Sequence, residues 1–203
     1  MASVTTVAAV YSLGATALAV GLMVLLHFLE PEFDPSWRML SEYSLGRYGV
    51  LMRAAFLAMG TAVIAVAVAL WGTAGPWSLG LIFVAIGPLG AAFIDTDPIT
   101  TPRAQMSRRS NIHAALGSLF ILGFPLMATL AGIGAADDPA VGPVLAWASI
   151  VSWITLVWFI GTSVRHARLD AVGGPEVLVG WPNRVNILAD LGWVALAAVM
   201  LLR

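Results

Sequence analysis

Residues 54–94 read AAFLAMGTAVIAVAVALWGTAGPWSLGLIFVAIGPLGAAFI, and no charged side chain occurs between Arg53 and Asp95. A helix needs about 20 mostly apolar residues to cross the hydrocarbon core of a bilayer, so this stretch is long enough for two crossings. The segment Gly72–Pro76 divides it, because glycine and proline favour turns. A tryptophan flanks the turn on each side, which suits the headgroup region. We therefore predict two membrane helices joined by a tight turn.

The composition of the whole chain also indicates a membrane protein. Of the 203 residues, 60% are hydrophobic and 10% are charged, whereas about 25% of the residues in an average soluble domain are charged. So few charges exclude a soluble globular domain. A net charge of −1 gives no reason to expect a nucleic-acid partner. The absence of cysteine excludes disulfides, thiolate metal sites and cysteine nucleophiles.

Six apolar segments predict an all-α membrane protein, because backbone groups in lipid must form hydrogen bonds within their own segment. The first segment is longer than the core of a signal peptide, so we expect it to be retained as a span. No shift in composition suggests a second domain, and residues 1–203 are expected to form one transmembrane domain. The predicted helices are residues 4–28, 48–71, 77–94, 111–133, 141–163 and 182–202.

The links that follow odd-numbered spans are long and polar, and they carry or border nine of the ten arginines. These odd links comprise residues 29–47, 95–110 and 164–181. Because positive charge stays on the cytoplasmic side of a membrane, the odd links are expected in the cytoplasm. Both termini are then expected outside, in a multi-pass protein of the cell membrane whose first partner is the lipid bilayer.

The first odd link has a possible helix start at Asp34-Pro35, with aspartate as the cap and proline in the first turn. A short interfacial helix is predicted for residues 35–45. Arg38 and Glu42 are four residues apart on that helix, so their side chains are expected to pair. The helix is either a solvated amphipathic loop or a re-entrant wall of a site.

The second odd link begins with Asp95-Thr96-Asp97-Pro98. Two carboxylates in this spacing bind a divalent cation or hold a proton, although Asp-Pro also starts many turns. Further along, Arg109 and His113 share one helix face at the start of the fourth span. His113 is either a proton carrier or an interfacial histidine that binds a backbone carbonyl.

The sixth span carries a polar stripe. Asn183, Asn186, Asp190 and Trp193 are spaced so that they share one helix face. Asp190 lies roughly 12 Å along the helix from its start, and an ionisable group near the membrane centre costs about 2.5–3.5 kcal/mol. Asp190 is therefore either a functional acid or a structural clamp bonded to Arg53 or to a helix hydroxyl.

Two further features concern ligands. Trp153 in the fifth span either packs between helices or forms an aromatic wall around an apolar ligand beside Asp190. The histidines, His27, His113 and His166, lack metal-site spacing. No metal and no cofactor are therefore expected.

Four short motifs together resemble a known family. They are LSEYSLG at residues 40–46, FIDTDP at residues 93–98, His113, and the Asn-Arg-Val-Asn element at residues 183–186. This combination is similar to that of the DUF998 family, bacterial proteins with six spans and unknown function. The resemblance implies a six-helix fold and a set of polar positions, but no reaction.

These features favour an enzyme that acts by acid/base chemistry on a lipid-like or isoprenoid substrate, of the lyase or isomerase type. A proton-initiated cyclase is the most specific version, in which tryptophans stabilise cations by cation–π contacts. The expected catalytic residues are Asp190, Glu42, Asp95, Asp97 and His113, and the expected substrate-binding residues are Arg53, Asn186, Trp153, Trp193 and Arg109. A common pocket in the cytoplasmic half should contain most of them.

Two alternatives come from other functional classes. One is a small proton-coupled transporter, for which a homo-oligomer would compensate the small size. The other is a non-catalytic lipid-binding or scaffold protein, in which the intramembrane charges are structural.

Overall fold

A computed structural model describes residues 3–165 and 173–203, and this part of the chain is all-helical, as predicted, with no β-strand. Short 3₁₀ helices lie in the connections at Leu40–Leu45, Gly75–Ser78 and Arg103–Gln105. The α-helices are α1 (Val4–Leu29), α2 (Gly49–Ala74), α3 (Leu79–Ala91), α4 (Arg108–Gly134), α5 (Gly142–Arg165) and α6 (Gly180–Leu201).

Five helical segments of the described chain are long and apolar enough to cross a membrane. Four of them are α1, α4, α5 and α6, and the fifth runs from Gly49 to Ala91 and contains both α2 and α3. At Gly75 the backbone has φ 56° and ψ −141°, a conformation that side chains rarely adopt, and the chain reverses there. Arg53 near the start of α2 contacts Asp95 just after α3, so the two helices are antiparallel.

The third helix is shorter than the predicted residues 77–94. Its first turn is the 3₁₀ helix that contains Pro76, and the α-helix ends at Ala91. The α-helix begins late for a local reason. Pro76 lacks a backbone N–H, and the backbone dihedral angles of Gly75 are not helical.

Small residues hold the helices close together around the central α2. Gly60 of α2 lies against Ala85 and Leu89 of α3. On another side, the Ser12 hydroxyl of α1 donates a 2.9 Å hydrogen bond to the Ala62 carbonyl of α2. Lipid removes the hydrophobic drive for helix association, so such close packing and interhelical hydrogen bonds are what stabilise the bundle.

The odd links meet at one end of the bundle, which we call the odd-link end. The Ile99 N–H donates to Glu42, and the Gly173 N–H donates to the Ile99 carbonyl over 3.1 Å. At the opposite end, Gly134, the last residue of α4, packs against Trp77, which follows α2. All three odd links therefore meet at one end of the helix bundle.

The first odd link differs from the predicted interfacial helix of residues 35–45. Only Leu40–Leu45 is helical, as a 3₁₀ helix that ends before Gly46. Asp34 instead forms a turn, in which its Oδ1 accepts a 2.8 Å hydrogen bond from the Ser36 N–H. A short acidic side chain competes in this way with helix formation. The predicted pairing of Arg38 with Glu42 is present.

Candidate functional site

A cavity of about 290 Å³ extends from the odd-link end into the bundle, between α2, α3, α4, α5 and α6. Most polar side chains of its lining lie at the link end, beside the apolar link residues Met39, Pro98, Ile99 and Met106, and the walls deeper in the bundle are mainly apolar and partly aromatic. The polar lining at the link end comprises Ser41, Glu42, Thr96, Asp97, His113 and Asn183, and Ser118 lies deeper on α4. The apolar lining includes Phe56, Met59, Phe120, Ile121, Phe159 and Ile187. The cavity is therefore amphipathic along its length.

Glu42 joins the first odd link to the second at the polar end. Its Oε1 accepts hydrogen bonds of 2.9 Å from Arg38 and from the Ile99 N–H, and its Oε2 accepts one of 3.2 Å from the Met39 N–H. Burial raises the pKa of Glu42, although these donors and the Arg38 charge oppose the rise. Protein donors thus occupy both carboxylate oxygens, and Glu42 fixes the shape of the cavity end.

His113 lies at the same end, in the second turn of α4. Its Nδ1 is 2.5 Å from the Ile94 carbonyl oxygen, so Nδ1 carries the proton and Nε2 is left as an acceptor. The His113 and Phe56 rings pack edge to face, with 6.1 Å between their centroids. The structure shows the backbone bond that was one of the two alternatives for His113, and among the described residues Nε2 has no hydrogen-bond partner.

The two acids of the Asp-Thr-Asp motif have separate partners. Both Asp95 oxygens lie within 3.0 Å of the Arg53 guanidinium, at a half-exposed position. Asp97 accepts a hydrogen bond of 2.6 Å from the Ser107 N–H and one of 3.0 Å from the Ser107 hydroxyl, at the start of α4. The two carboxylates of this motif therefore have different protein partners.

Arg53 is not bonded to Asp190, so the form of the structural clamp that joined these two residues is wrong. The hairpin of α2 and α3 brings Asp95 next to the first turn of α2, so Arg53 forms its ion pair with Asp95. Arg53 and Asp95 lie outside the cavity lining.

The predicted stripe on α6 faces the bundle interior. Asn183, Asn186, Asp190 and Trp193 are all at most 3% exposed. Asn183 lines the cavity, and its Oδ1 accepts a 3.1 Å hydrogen bond from the Leu40 N–H. Asn186 and Asp190 do not line the cavity, because α6 turns them towards α5 and places Ile187 on the cavity side. The residues expected in one pocket therefore lie at two separate sites, the cavity and the region between α5 and α6.

The second site is a polar cluster between α5 and α6. On α5, Ser152 and Thr155 face α6, and the Asn186 amide donates a 3.3 Å hydrogen bond to the Thr155 hydroxyl. The Ser152 hydroxyl lies beside Asp190 without hydrogen-bond geometry. One turn further along, Trp193 Nε1 donates to Ser149 Oγ over 3.0 Å. This α5–α6 cluster contains Asp190 but none of the cavity lining.

Two other residues predicted to bind a ligand lie outside the cavity lining. Trp153 is 39% exposed and donates a 3.0 Å hydrogen bond to the Thr129 hydroxyl of α4, so it braces α5 against α4 instead of lying beside Asp190. Arg109 is exposed in the first turn of α4 and is not part of the cavity lining.

Sequence reasoning missed the role of Arg184, which it counted as a topology signal. Arg184 is 3% exposed. Its Nε donates to His27 Nε2 over 2.8 Å, and its Nη1 donates to the Arg38 carbonyl over 2.5 Å. The His27 Nδ1 donates in turn to the Met23 carbonyl over 2.7 Å. Burial also raises the pKa of the neighbouring Tyr43 hydroxyl. The signal was the position of Arg184 within the Asn-Arg-Val-Asn element, next to the buried stripe.

Within residues 3–165 and 173–203, no group of three or more histidine, aspartate or glutamate side chains is placed to hold a metal ion. His27 and His113 belong to separate hydrogen-bond networks. His166 and Arg168 lie outside the described residues.

The helix bundle and its five apolar, membrane-length segments in the described chain define a multi-pass membrane protein. The family model DUF998, described as a protein of unknown function, matches residues 13–200. The chain therefore belongs to the DUF998 family, as its short motifs indicated. No curated protein and no solved structure matches it.

Proposed function

We propose that the protein binds a lipid-like molecule in the cavity, with the polar group at the odd-link end and the apolar chain between the helices. The observation that supports this function is the division of the cavity into a polar end and an apolar interior. Its volume of about 290 Å³ is close to the lower bound of ligand pockets, which hold about 300–1,000 Å³. A single chain or a small isoprenoid fits this volume better than a two-chain phospholipid.

The polar end favours a neutral headgroup with hydrogen-bond donors, such as an alcohol. Glu42 and Asp97 make this end acidic, and Arg38 beside it is already paired with Glu42. A phosphate there would be repelled by both carboxylates. His113 Nε2 provides an acceptor for a hydroxyl proton. An isoprenoid-like alcohol is therefore the ligand class that this end suits best.

Three of the residues expected for an acid/base enzyme line the cavity, but the carboxylate oxygens of Glu42 and Asp97 already accept hydrogen bonds from the protein. His113 lines the cavity and its Nε2 has no hydrogen-bond partner among the described residues, whereas Asp190, the expected acid, lies at the α5–α6 cluster. A proton-initiated cyclase that uses Asp190 has no support from this geometry. Binding is thus the better-supported function, and any chemistry in the cavity would centre on His113.

Gly117 offers a direct test of binding. It lines the cavity one turn after His113, and a Cβ built on it meets no atom within 4 Å. We expect Gly117→Leu to fill the cavity without disturbing the backbone. Mass spectrometry of protein purified from membranes should find a bound apolar molecule in the wild type and lose most of it in the variant.

Gly21→Leu is the matched control, because Gly21 also faces open space within a span but lies on the exposed side of α1. This control should retain the molecule. Equal retention by Gly117→Leu and the wild type would contradict the proposal. The mass of the retained molecule, followed over time, also shows whether the protein alters it chemically.

A further inference from the structure

The α5–α6 cluster contains four oxygen atoms without a hydrogen-bond partner among the described residues. They are Ser152 Oγ, Asn186 Oδ1 and both carboxylate oxygens of Asp190. All three residues are 0% exposed. An unsatisfied buried polar atom costs roughly 1–3 kcal/mol, so four of them in one place require an explanation.

No arginine or histidine of the described chain forms an ion pair with Asp190. The ion pairs found in this part of the protein join Arg38 to Glu42 and Arg53 to Asp95. Arg184, the nearest arginine along α6, is directed to His27 and to backbone carbonyls. An ionised carboxylate in such surroundings needs a positive charge from elsewhere.

The donor atoms indicate which positive charge fits. The available groups are one carboxylate, one amide oxygen and one hydroxyl, with the Thr155 hydroxyl next to them. Oxygen donors suit hard cations, whereas soft metals prefer sulfur and imidazole. A single carboxylate balances a charge of one, while calcium sites use 6–8 oxygen ligands, usually with several carboxylates.

We propose that the α5–α6 cluster binds one sodium ion, held by Asp190, Asn186 and Ser152. The ion would satisfy the unpartnered oxygens and neutralise the carboxylate inside the membrane. This site is distinct from the cavity, since none of its ligands lines the cavity. The inference therefore does not depend on lipid binding.

Binding of radioactive sodium to purified protein in detergent at pH 8 tests the proposal, together with thermal unfolding at constant ionic strength. We expect saturable binding of one sodium ion per chain. The melting temperature should rise with sodium concentration and stay lower in choline chloride, because a ligand that binds only the folded state stabilises it.

Three variants make the test specific. Asp190→Asn should abolish sodium binding and the sodium-dependent rise in melting temperature. Ser152→Ala removes one ligand and should weaken binding by about tenfold or more, and it gives the same information if Asp190→Asn fails to fold. Asp137→Asn removes an exposed acid from the connection between α4 and α5 and should behave like the wild type.

The rival occupant of the cluster is a proton on Asp190. In that case sodium would neither bind nor stabilise the wild type at pH 8, and the sodium proposal would be overturned. Sodium binding that persists unchanged in both Asp190→Asn and Ser152→Ala would overturn the location of the site.

Discussion

At the scale of single residues, Glu42 and Asp190 are both buried acids, yet their surroundings differ. Glu42 accepts three hydrogen bonds, two from backbone N–H groups and one from Arg38. Asp190 has no donor with hydrogen-bond geometry among the described residues. Glu42 is thus a structural tie at the cavity end, whereas Asp190 needs an added positive charge. The two acids were expected in one pocket because sequence spacing shows which residues share a helix face, but not which neighbouring helix that face meets.

The pH dependence of stability should reveal the role of Glu42. Burial raises its pKa in the folded protein above the ordinary value of 4.5. The folded state then binds the proton more tightly than the unfolded state, so stability falls as pH rises from about 4.5 through the raised pKa. Glu42→Gln cannot titrate. As pH rises through this range, we expect the melting temperature of the wild type to fall relative to that of Glu42→Gln.

Glu32→Gln is the control for this measurement, since Glu32 is an exposed acid of the same link. Hydrogen bonds from Ser36 lower the pKa of Asp34. The contribution of Asp34 to stability therefore has the opposite pH dependence to that of Glu42, because it increases as pH rises and is lost in acid. Asp34 is present in all three proteins, so the difference between curves isolates Glu42. Parallel curves for the wild type and Glu42→Gln would refute the interpretation.

At the scale of secondary structure, the hairpin of α2 and α3 was the most predictable element. An uncharged stretch long enough for two spans with a Gly-Pro turn in its middle permits few other structures. The first odd link was less predictable. Asp34 and Pro35 are compatible with a helix start and with a turn. The hydrogen bond from the Ser36 N–H to Asp34 Oδ1 stabilises the turn. The 3₁₀ helix that follows makes tertiary hydrogen bonds with Asn183 and Ile99, which sequence spacing does not show.

Two glycines near the hairpin turn should respond in opposite directions to alanine. Gly75 has φ 56°, where a side chain costs about 1–3 kcal/mol, so Gly75→Ala should lower stability by that amount. Gly72 lies exposed in the last turns of α2 with open space around it. Gly72→Ala should raise stability by up to about 1 kcal/mol, because glycine is the more flexible residue in the unfolded chain.

Unfolding of the two variants in detergent, followed by tryptophan fluorescence, measures both effects. A melting temperature that falls for Gly75→Ala and does not fall for Gly72→Ala is the expected result. If both variants moved in the same direction, the backbone conformation at Gly75 would not control the hairpin.

At the scale of the whole molecule, the arginines and the polar network occupy the same end. Glu42, Ile99 and Gly173 connect the three odd links there, and Arg184 adds α1 and α6 to the network. The sequence predicted that these links share one side of the membrane. It could not predict that one arginine would be buried, because topology counting treats every arginine as solvent-exposed. Eight of the ten arginines still belong to the odd links or their borders when Arg184 is set aside.

The distribution of the arginines also predicts which side of the membrane the odd-link end faces. Positive residues are retained in the cytoplasm, so the odd-link end should be cytoplasmic and the termini should lie outside.

The chain contains no cysteine, which allows single-cysteine labelling in an otherwise unaltered protein. Asp137→Cys places a thiol in the exposed connection between α4 and α5, and Arg103→Cys places one in the second odd link. A membrane-impermeant maleimide should label the first variant in intact cells and the second only after lysis. The reverse pattern would show that the buried network, and with it the polar end of the cavity, faces the outside of the cell.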